Sequence, residues 1–141
     1  MRAMILAVLF ALAACASNNA PPASDELYKD LGGRAGIARL VDEFMFRVLN
    51  DARIAHHFAN TDLERLNGKL KEKFCAEAGG PCAYTGDTMS DVHRGLGVTR
   101  ADFNALVEDL RVAMETLHVP QSAQNRLLAR FAPMQAEIVR E

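Results

Sequence analysis

The stretch Thr88-Met-Ser-Asp-Val-His-Arg-Gly-Leu-Gly97 decides the fold, because it places a histidine on an otherwise apolar helical stripe. Met89, Val92, His93 and Leu96 recur at the three- and four-residue spacing of one helix face. Turning an imidazole toward an apolar core is costly unless a partner forms a hydrogen bond with its ring nitrogen or coordinates it. That partner is either a hydrogen-bonding group in the core or a metal, and the spacing alone leaves both interpretations open.

The composition indicates one globular domain with a substantial core. The chain has 141 residues, half of them hydrophobic, and it contains no Trp. The formal net charge of −2 comes with no basic cluster, and this argues against a nucleic-acid partner. We expect a helical core of Leu, Val, Met and Phe side chains.

Helical periodicity dominates the chain after its first segment, with no internal repeat and no convincing strand. A connector between the second and third helices ends near Phe58. We expect a capping box of Thr61 and Glu64 to open the third helix and Thr99 with Asp102 to open the fourth. Pro133 should kink the last helix. The predicted helices are Asp25–Leu31, Arg34–Asn50, Thr61 to about Ala78, Thr99 to about Leu117, and one that starts at Pro120.

Two helix pairs therefore flank the short histidine-bearing helix, and a flat slot between the pairs suits a compact all-α sandwich. A haem is a flat, largely apolar body of the right size to fill such a slot. Without it, the apolar faces that flank His93 would need another cover.

Three motifs in the family's order and spacing resemble the group 1 truncated haemoglobins, from Glu26 to about Val139. They are Leu27-Tyr28-Lys-Asp-Leu-Gly32-Gly33, then Gly79-Gly80-Pro81 with Ala83-Tyr84-Thr85-Gly86, and finally Val92-His93-Arg-Gly95-Leu-Gly97-Val98-Thr99. The resemblance implies a truncated globin fold, a two-over-two helical sandwich around haem b. It also implies reversible binding of a diatomic gas (dioxygen, nitric oxide or carbon monoxide) at the iron.

By the same resemblance, His93 takes the position of the proximal iron ligand. His56 and His57 lie in a polar connector, and His118 lies at a helix end, where its charge would be favourable. We therefore expect those three to be ordinary structural residues. The residues expected to contact the haem are Met45, Phe58, Leu66, Lys69, Leu70, Phe74, Tyr84, Met89, His93, Val98, Phe103 and Val107.

The chain departs from the family on the side of the haem opposite His93. Many members carry a Tyr on the second helix and a Gln on the third, and both donate hydrogen bonds to the bound gas. Met45 and Leu70 occupy the matching positions here, and Leu66 is apolar as well. Only Lys69 remains as a donor, and two roles are open for it: an ion pair with a haem propionate, or direct ligation of the iron.

The first segment is expected to lie outside the fold. Arg2 precedes an apolar run from Met4 to Ala14 that is too short to span a bilayer. Its end, Leu12-Ala-Ala-Cys15, resembles a bacterial lipobox, in which Cys15 is lipidated; an ordinary secretory signal is the alternative. We assign 1–15 to the signal, 16–24 to a flexible tether and 25–141 to the globin domain. By the same resemblance, the neutral Ala16 favours a periplasmic protein anchored to the outer membrane.

Two cysteines remain for a disulfide once Cys15 is lipidated. An oxidising compartment and an even cysteine count favour a Cys75–Cys82 bridge across the Gly79-Gly80-Pro81 turn. Two buried free thiols are the alternative.

The chemistry beyond gas binding stays open at this level. Turnover of nitric oxide or peroxide, with an unidentified reductase partner, would make the protein an enzyme. Gas carriage, gas sensing or haem holding would make it a binding protein. A helical lipoprotein without haem, using the slot for another partner, is the third alternative.

Overall fold

The computed structural model describes residues 25–140, and no strand occurs in that range. The helices are α1 (Glu26–Asp30), α2 (Gly33–Asn50), α3 (Leu63–Glu77), α4 (Met89–Val92), α5 (Arg100–Thr116), α6 (Gln121–Phe131) and α7 (Gln135–Ile138). Short 3₁₀ turns cover Ala55–Phe58 and Ala132–Met134. Within 25–140 no helix is long and apolar enough to cross a bilayer. The predicted signal, Cys15 and the tether lie outside the described residues.

Two helix pairs build the domain, as the sequence predicts. Helix α2 packs against both α3 and α5, and α6 contacts the same two helices. Each helix turns an apolar face inward because its hydrophobic residues follow the 3.6-residue period. The most deeply buried large side chains are Ile37, Leu40, Val41, Ile54, Met114 and Leu127.

A tight corner joins α1 to α2. Gly32 and Gly33 both adopt positive φ angles, of 85° and 62°, which are strained for residues that carry a Cβ. A Cβ added to the buried Gly36 would overlap the carbonyl oxygen of Leu31. The corner therefore depends on glycine both for its backbone angles and for the close approach of the two helices.

One predicted helix start is wrong and another is confirmed. Helix α3 is capped by Asp62, whose carboxylate accepts a hydrogen bond from the Arg65 N–H at 3.0 Å. Thr61 instead belongs to the connector, because its N–H donates to the Phe58 carbonyl at 3.1 Å. Thr99 and Asp102 form the predicted reciprocal capping box at the start of α5.

The histidine-bearing segment is shorter than the sequence suggests. Helix α4 ends at Val92, so His93 is the residue after the helix rather than part of it. Its N–H still donates to the Met89 carbonyl at 3.3 Å. The predicted kink at Pro133 is confirmed, since α6 gives way to a 3₁₀ turn that contains this proline before α7 resumes.

Cys75 and Cys82 are disulfide-bonded, with their Cα atoms 5.8 Å apart. Cys75 is buried near the end of α3, and the Gly80 N–H donates to its carbonyl at 2.9 Å. The bridge therefore ties the glycine-rich loop after α3 to the helix that precedes it.

We predict that the disulfide stabilises the domain by reducing the conformational entropy of the unfolded chain. Replacing both cysteines with serine should lower the free energy of unfolding by about 2–3 kcal/mol, since the closed loop is short. Denaturant titration of the purified protein measures the change. Treating the parent protein with a reductant should cause the same loss of stability. An unfolding midpoint that is unchanged by the reductant would contradict the prediction.

Candidate functional site

A cavity of about 620 Å³ lies between the two helix pairs. Its volume falls within the ~300–1,000 Å³ typical of ligand and cofactor sites. The structure brings all twelve predicted contact residues to the wall of this one cavity; their contact with a haem stays a prediction. They are Met45, Phe58, Leu66, Lys69, Leu70, Phe74, Tyr84, Met89, His93, Val98, Phe103 and Val107.

His93 presents one ring nitrogen as a possible metal ligand. Its Nδ1 lies 2.7 Å from the carbonyl oxygen of Met89. Because a carbonyl can only accept, Nδ1–H must be the donor, and the neutral ring then keeps its lone pair on Nε2. Metal-binding histidines are commonly oriented by such a bond from their second nitrogen. The bond to Met89 thus leaves the Nε2 of a partly buried ring available as an acceptor or a metal ligand.

The wall formed by α2 and α3 is apolar at the positions of Met45, Leu66 and Leu70. Met45 is buried and only 8% exposed, and Leu66 and Leu70 line the cavity beside it. Phe74 closes the wall, with its ring centroid 5.9 Å from that of Phe44 and 4.8 Å from that of Phe131. None of the side chains at these positions carries an N–H or O–H group.

Polar groups gather instead at the rim of the cavity. The Lys69 Nζ atom lies 3.1 and 3.0 Å from the two carboxylate oxygens of Glu72 and also contacts the Thr85 hydroxyl. Glu72 in turn accepts hydrogen bonds from the N–H of Thr85 at 3.0 Å and from its hydroxyl at 2.8 Å. These bonds, first those from Thr85 and then that from Lys69, lower the pKa of Glu72 to about 2.

His57 lines the cavity although the sequence marked it as an ordinary connector residue. Its side chain is 13% exposed, and its Nε2 lies 3.2 Å from Asp102 Oδ2 without an aligned hydrogen bond. Asp102 has a lowered pKa, chiefly because it accepts hydrogen bonds from Thr99 and then because of His57. The 3₁₀ turn shows no helical period in the sequence, so nothing there indicated which neighbouring histidine turns inward. His56 is exposed, as is His118.

The end of the chain supplies a further part of the wall. None of its residues was among the contacts expected from the sequence. The kink at Pro133 brings both the last turn of α6 and helix α7 to the cavity. The residues concerned are Leu128, Phe131, Met134 and Ile138.

Comparison with known proteins agrees with this geometry. The bacterial-like globin family matches residues 26–140. The group 1 truncated haemoglobin GlbN of Mycolicibacterium paratuberculosis (strain ATCC BAA-968 / K-10) is 37% identical over 119 residues, covering 84% of this chain and 86% of the relative. The GlbN of Synechocystis sp. (strain ATCC 27184 / PCC 6803 / Kazusa) is 34% identical, covering 67% of this chain and 80% of the relative.

Solved structures show the same architecture. The Fe(III) truncated haemoglobin of Tetrahymena pyriformis superposes with a TM-score of 0.78 at 26% identity, covering 82% of this chain and 98% of that one. THB1 of Chlamydomonas reinhardtii gives 0.70 at 28% identity, with 84% and 98% covered. The cavity, its histidine and these matches lead to one conclusion: the chain belongs to the bacterial-like globin family and, within it, to the group 1 truncated haemoglobins.

Proposed function

We propose that this protein binds haem b through His93 and binds a diatomic gas reversibly at the iron. The observation that carries the proposal is the His93 ring, whose Nδ1–H is held by the Met89 carbonyl at 2.7 Å on the wall of a largely apolar cavity. A haem iron with one imidazole ligand supplies an open position for dioxygen, nitric oxide or carbon monoxide. His93 would hold the iron, and the bond to Met89 would fix the plane of its ring.

The opposite wall favours rapid release of the gas. Met45, Leu66 and Leu70 offer no hydrogen bond to a polar gas ligand, and such a bond to a charged group contributes about 1.5–3 kcal/mol. This supports gas carriage or sensing over slow-release storage or efficient nitric oxide dioxygenation. A reductase partner that returns the iron to its ferrous form is part of the proposal.

Lys69 is proposed as a contact for a haem propionate. Its stem lines the cavity while its ammonium lies at the rim, 29% of the side chain being exposed. Long cationic side chains commonly lay their stem along apolar surface in this way and keep the charge outside.

The location of the protein forms a second part of the proposal. Cys15 would carry the lipid, 16–24 would be the tether, and the globin domain would lie in the periplasm, anchored to the outer membrane. The Cys75–Cys82 bond supports an oxidising compartment, where structural disulfides persist. Several acyl chains hold a small domain firmly, since each buried CH₂ contributes about 0.8 kcal/mol.

Removing His93 should abolish the haem spectrum. We expect the purified parent to show a Soret band that shifts with carbon monoxide, and His93→Gly to lose both until imidazole is added. His118→Ala, which changes an exposed histidine, is the matched control and should behave like the parent. A parent without a Soret band would favour the haem-free alternative, and an unaltered spectrum in His93→Gly would exclude this ligand.

Adding a donor to the apolar wall should slow the release of dioxygen. In Leu70→Gln, a new hydrogen bond to the gas should lower the dissociation rate about 10- to 100-fold, as expected for 1.5–3 kcal/mol. Stopped-flow displacement of dioxygen by carbon monoxide gives the rate. Leu70→Met keeps the wall apolar and should change the dissociation rate little. Equal rates in the parent and in Leu70→Gln would contradict the proposal that the apolar wall favours rapid release.

Cys15→Ser should release the protein from the membrane. Fractionation of cells that express the parent and the variant measures this, with reactivity of the globin domain toward a membrane-impermeant label reporting the compartment. The proposed lipidation of Cys15 is wrong if the variant stays as firmly membrane-bound as the parent.

A further inference from the structure

We propose that Glu72 is a positioning residue which, together with Thr85, holds the Lys69 amine at the rim and thereby keeps the sixth coordination position of the iron open for a gas. The inference rests on the proposed binding of haem at His93. The sequence left two roles open for Lys69, contact with a haem propionate or ligation of the iron. We infer that Glu72 determines which of the two it takes.

The geometry places Lys69 between two environments. It is on α3 beside Leu70 and one turn after Leu66, two residues of the apolar wall, so its stem already borders the cavity. Its amine points to Glu72, three residues further along the same helix, with Nζ–O distances of 3.0 and 3.1 Å. A lysine has a long flexible stem, and the contacts of its amine therefore decide which way it extends.

The contacts form a closed triangle rather than one ion pair. Lys69 donates to Glu72 and to the Thr85 hydroxyl, and that hydroxyl donates to Glu72 at 2.8 Å. The Thr85 N–H adds a further bond to the same carboxylate at 3.0 Å. Isolated ion pairs at this exposure contribute little, whereas several charges and donors that fix one another hold a defined geometry.

The Glu72 carboxylate is charged at physiological pH. The bonds from Thr85 and Lys69 hold the pKa of Glu72 at about 2, against an ordinary value of 4.5. An ammonium that donates to such an anion has no lone pair to offer a metal. Glu72 thus competes with the iron for this side chain throughout the physiological pH range.

The loop that carries Thr85 is itself anchored to α3. The Cys75–Cys82 bond joins the two segments three residues before Thr85. The Tyr84 hydroxyl donates to the Asp87 carbonyl at 2.9 Å, and the Lys73 ammonium lies 5.0 Å from the centre of the Tyr84 ring. Thr85 is therefore presented to Glu72 by a constrained loop, so the triangle spans the rim between loop and helix.

The apolar wall determines what would happen if Lys69 were released. Leu66 and Leu70 provide no ligand for the iron, and Met45 offers only a weakly binding thioether. None of the three donates a hydrogen bond that would hold a water there. A released Lys69 amine would be a nitrogen ligand on this wall, beside Leu66 and Leu70. Loss of Glu72 should therefore convert a gas-accessible iron into one bound by two nitrogen ligands.

The ferric spectrum of the haem-loaded protein from pH 6 to 10 tests the inference, because two strong nitrogen ligands give a low-spin iron and an open or water-bound position gives a high-spin one. We expect the parent to stay high-spin to about pH 9. Glu72→Gln should become low-spin, with its midpoint at least one pH unit below any transition of the parent. Cyanide should also bind the variant about tenfold more slowly, because it must displace the amine.

Two further variants identify the cause. Lys69→Ala in the Glu72→Gln background should restore the high-spin spectrum and rapid cyanide binding. Thr85→Val removes the hydroxyl but keeps the side-chain shape. It should shift the spectrum toward low-spin iron, by a smaller amount than Glu72→Gln does.

Glu77→Gln is the matched control. It removes the same charge from the same helix, where Glu77 pairs with Lys73 at 2.9 Å, and it should leave the spectrum unchanged. A high-spin Glu72→Gln, an equal shift in Glu77→Gln, or a parent already low-spin through Lys69 would each overturn the role of Glu72. A parent without a Soret band contradicts the proposed haem function itself, which separates the two failures.

Discussion

The packing of this domain depends on what fills the apolar cavity between its helix pairs. Protein interiors are close-packed, so an apolar cavity of about 620 Å³ suits a group that matches its shape and packs against its lining. Residues of α2, α3, α5 and α6 all line this cavity, so a group bound there contacts every long helix of the domain. A rigid flat cofactor therefore acts as part of the core, and haem binding and folding are expected to be thermodynamically linked.

Within that constraint, the two sides of the cavity have different chemistry. On one side the Met89 carbonyl orients the His93 ring and leaves one nitrogen for a metal. On the other, Met45, Leu66 and Leu70 present side chains without an N–H or O–H group. The protein can thus keep the iron attached while contributing little to the retention of a polar gas, and it leaves the control of the open position to the residues at the rim.

The rim shows how a loop that supplies no ligand of its own can influence the cavity. Thr85 contributes two of the bonds to Glu72, and the nearby disulfide limits the positions available to its loop. The same covalent link that stabilises the domain therefore also contributes to the placement of Lys69. Stability and ligand access share these contacts, and a change in the loop is expected to affect both.

Much of the fold was predictable because local rules and tertiary packing agree. The 3.6-residue period, the Gly32-Gly33 corner, the capping box at Thr99 and the kink at Pro133 each depend on neighbours in the chain. The start of α3 was misplaced by one residue, because Thr61 and Asp62 are both good caps. Only the connector's own hydrogen bond from Thr61 to Phe58 decides between them.

The sequence by itself determined the helical class, twelve of the wall residues and a candidate metal-binding histidine, since these follow from periodicity and from three motifs in order. Only the tertiary structure decided which way polar side chains turn. His57 faces the cavity and His56 does not, because the 3₁₀ turn carries no readable period. Lys69 is held at the rim because folding brings Thr85 back to Glu72, thirteen residues away along the chain, and spacing along a helix carries no information about that contact.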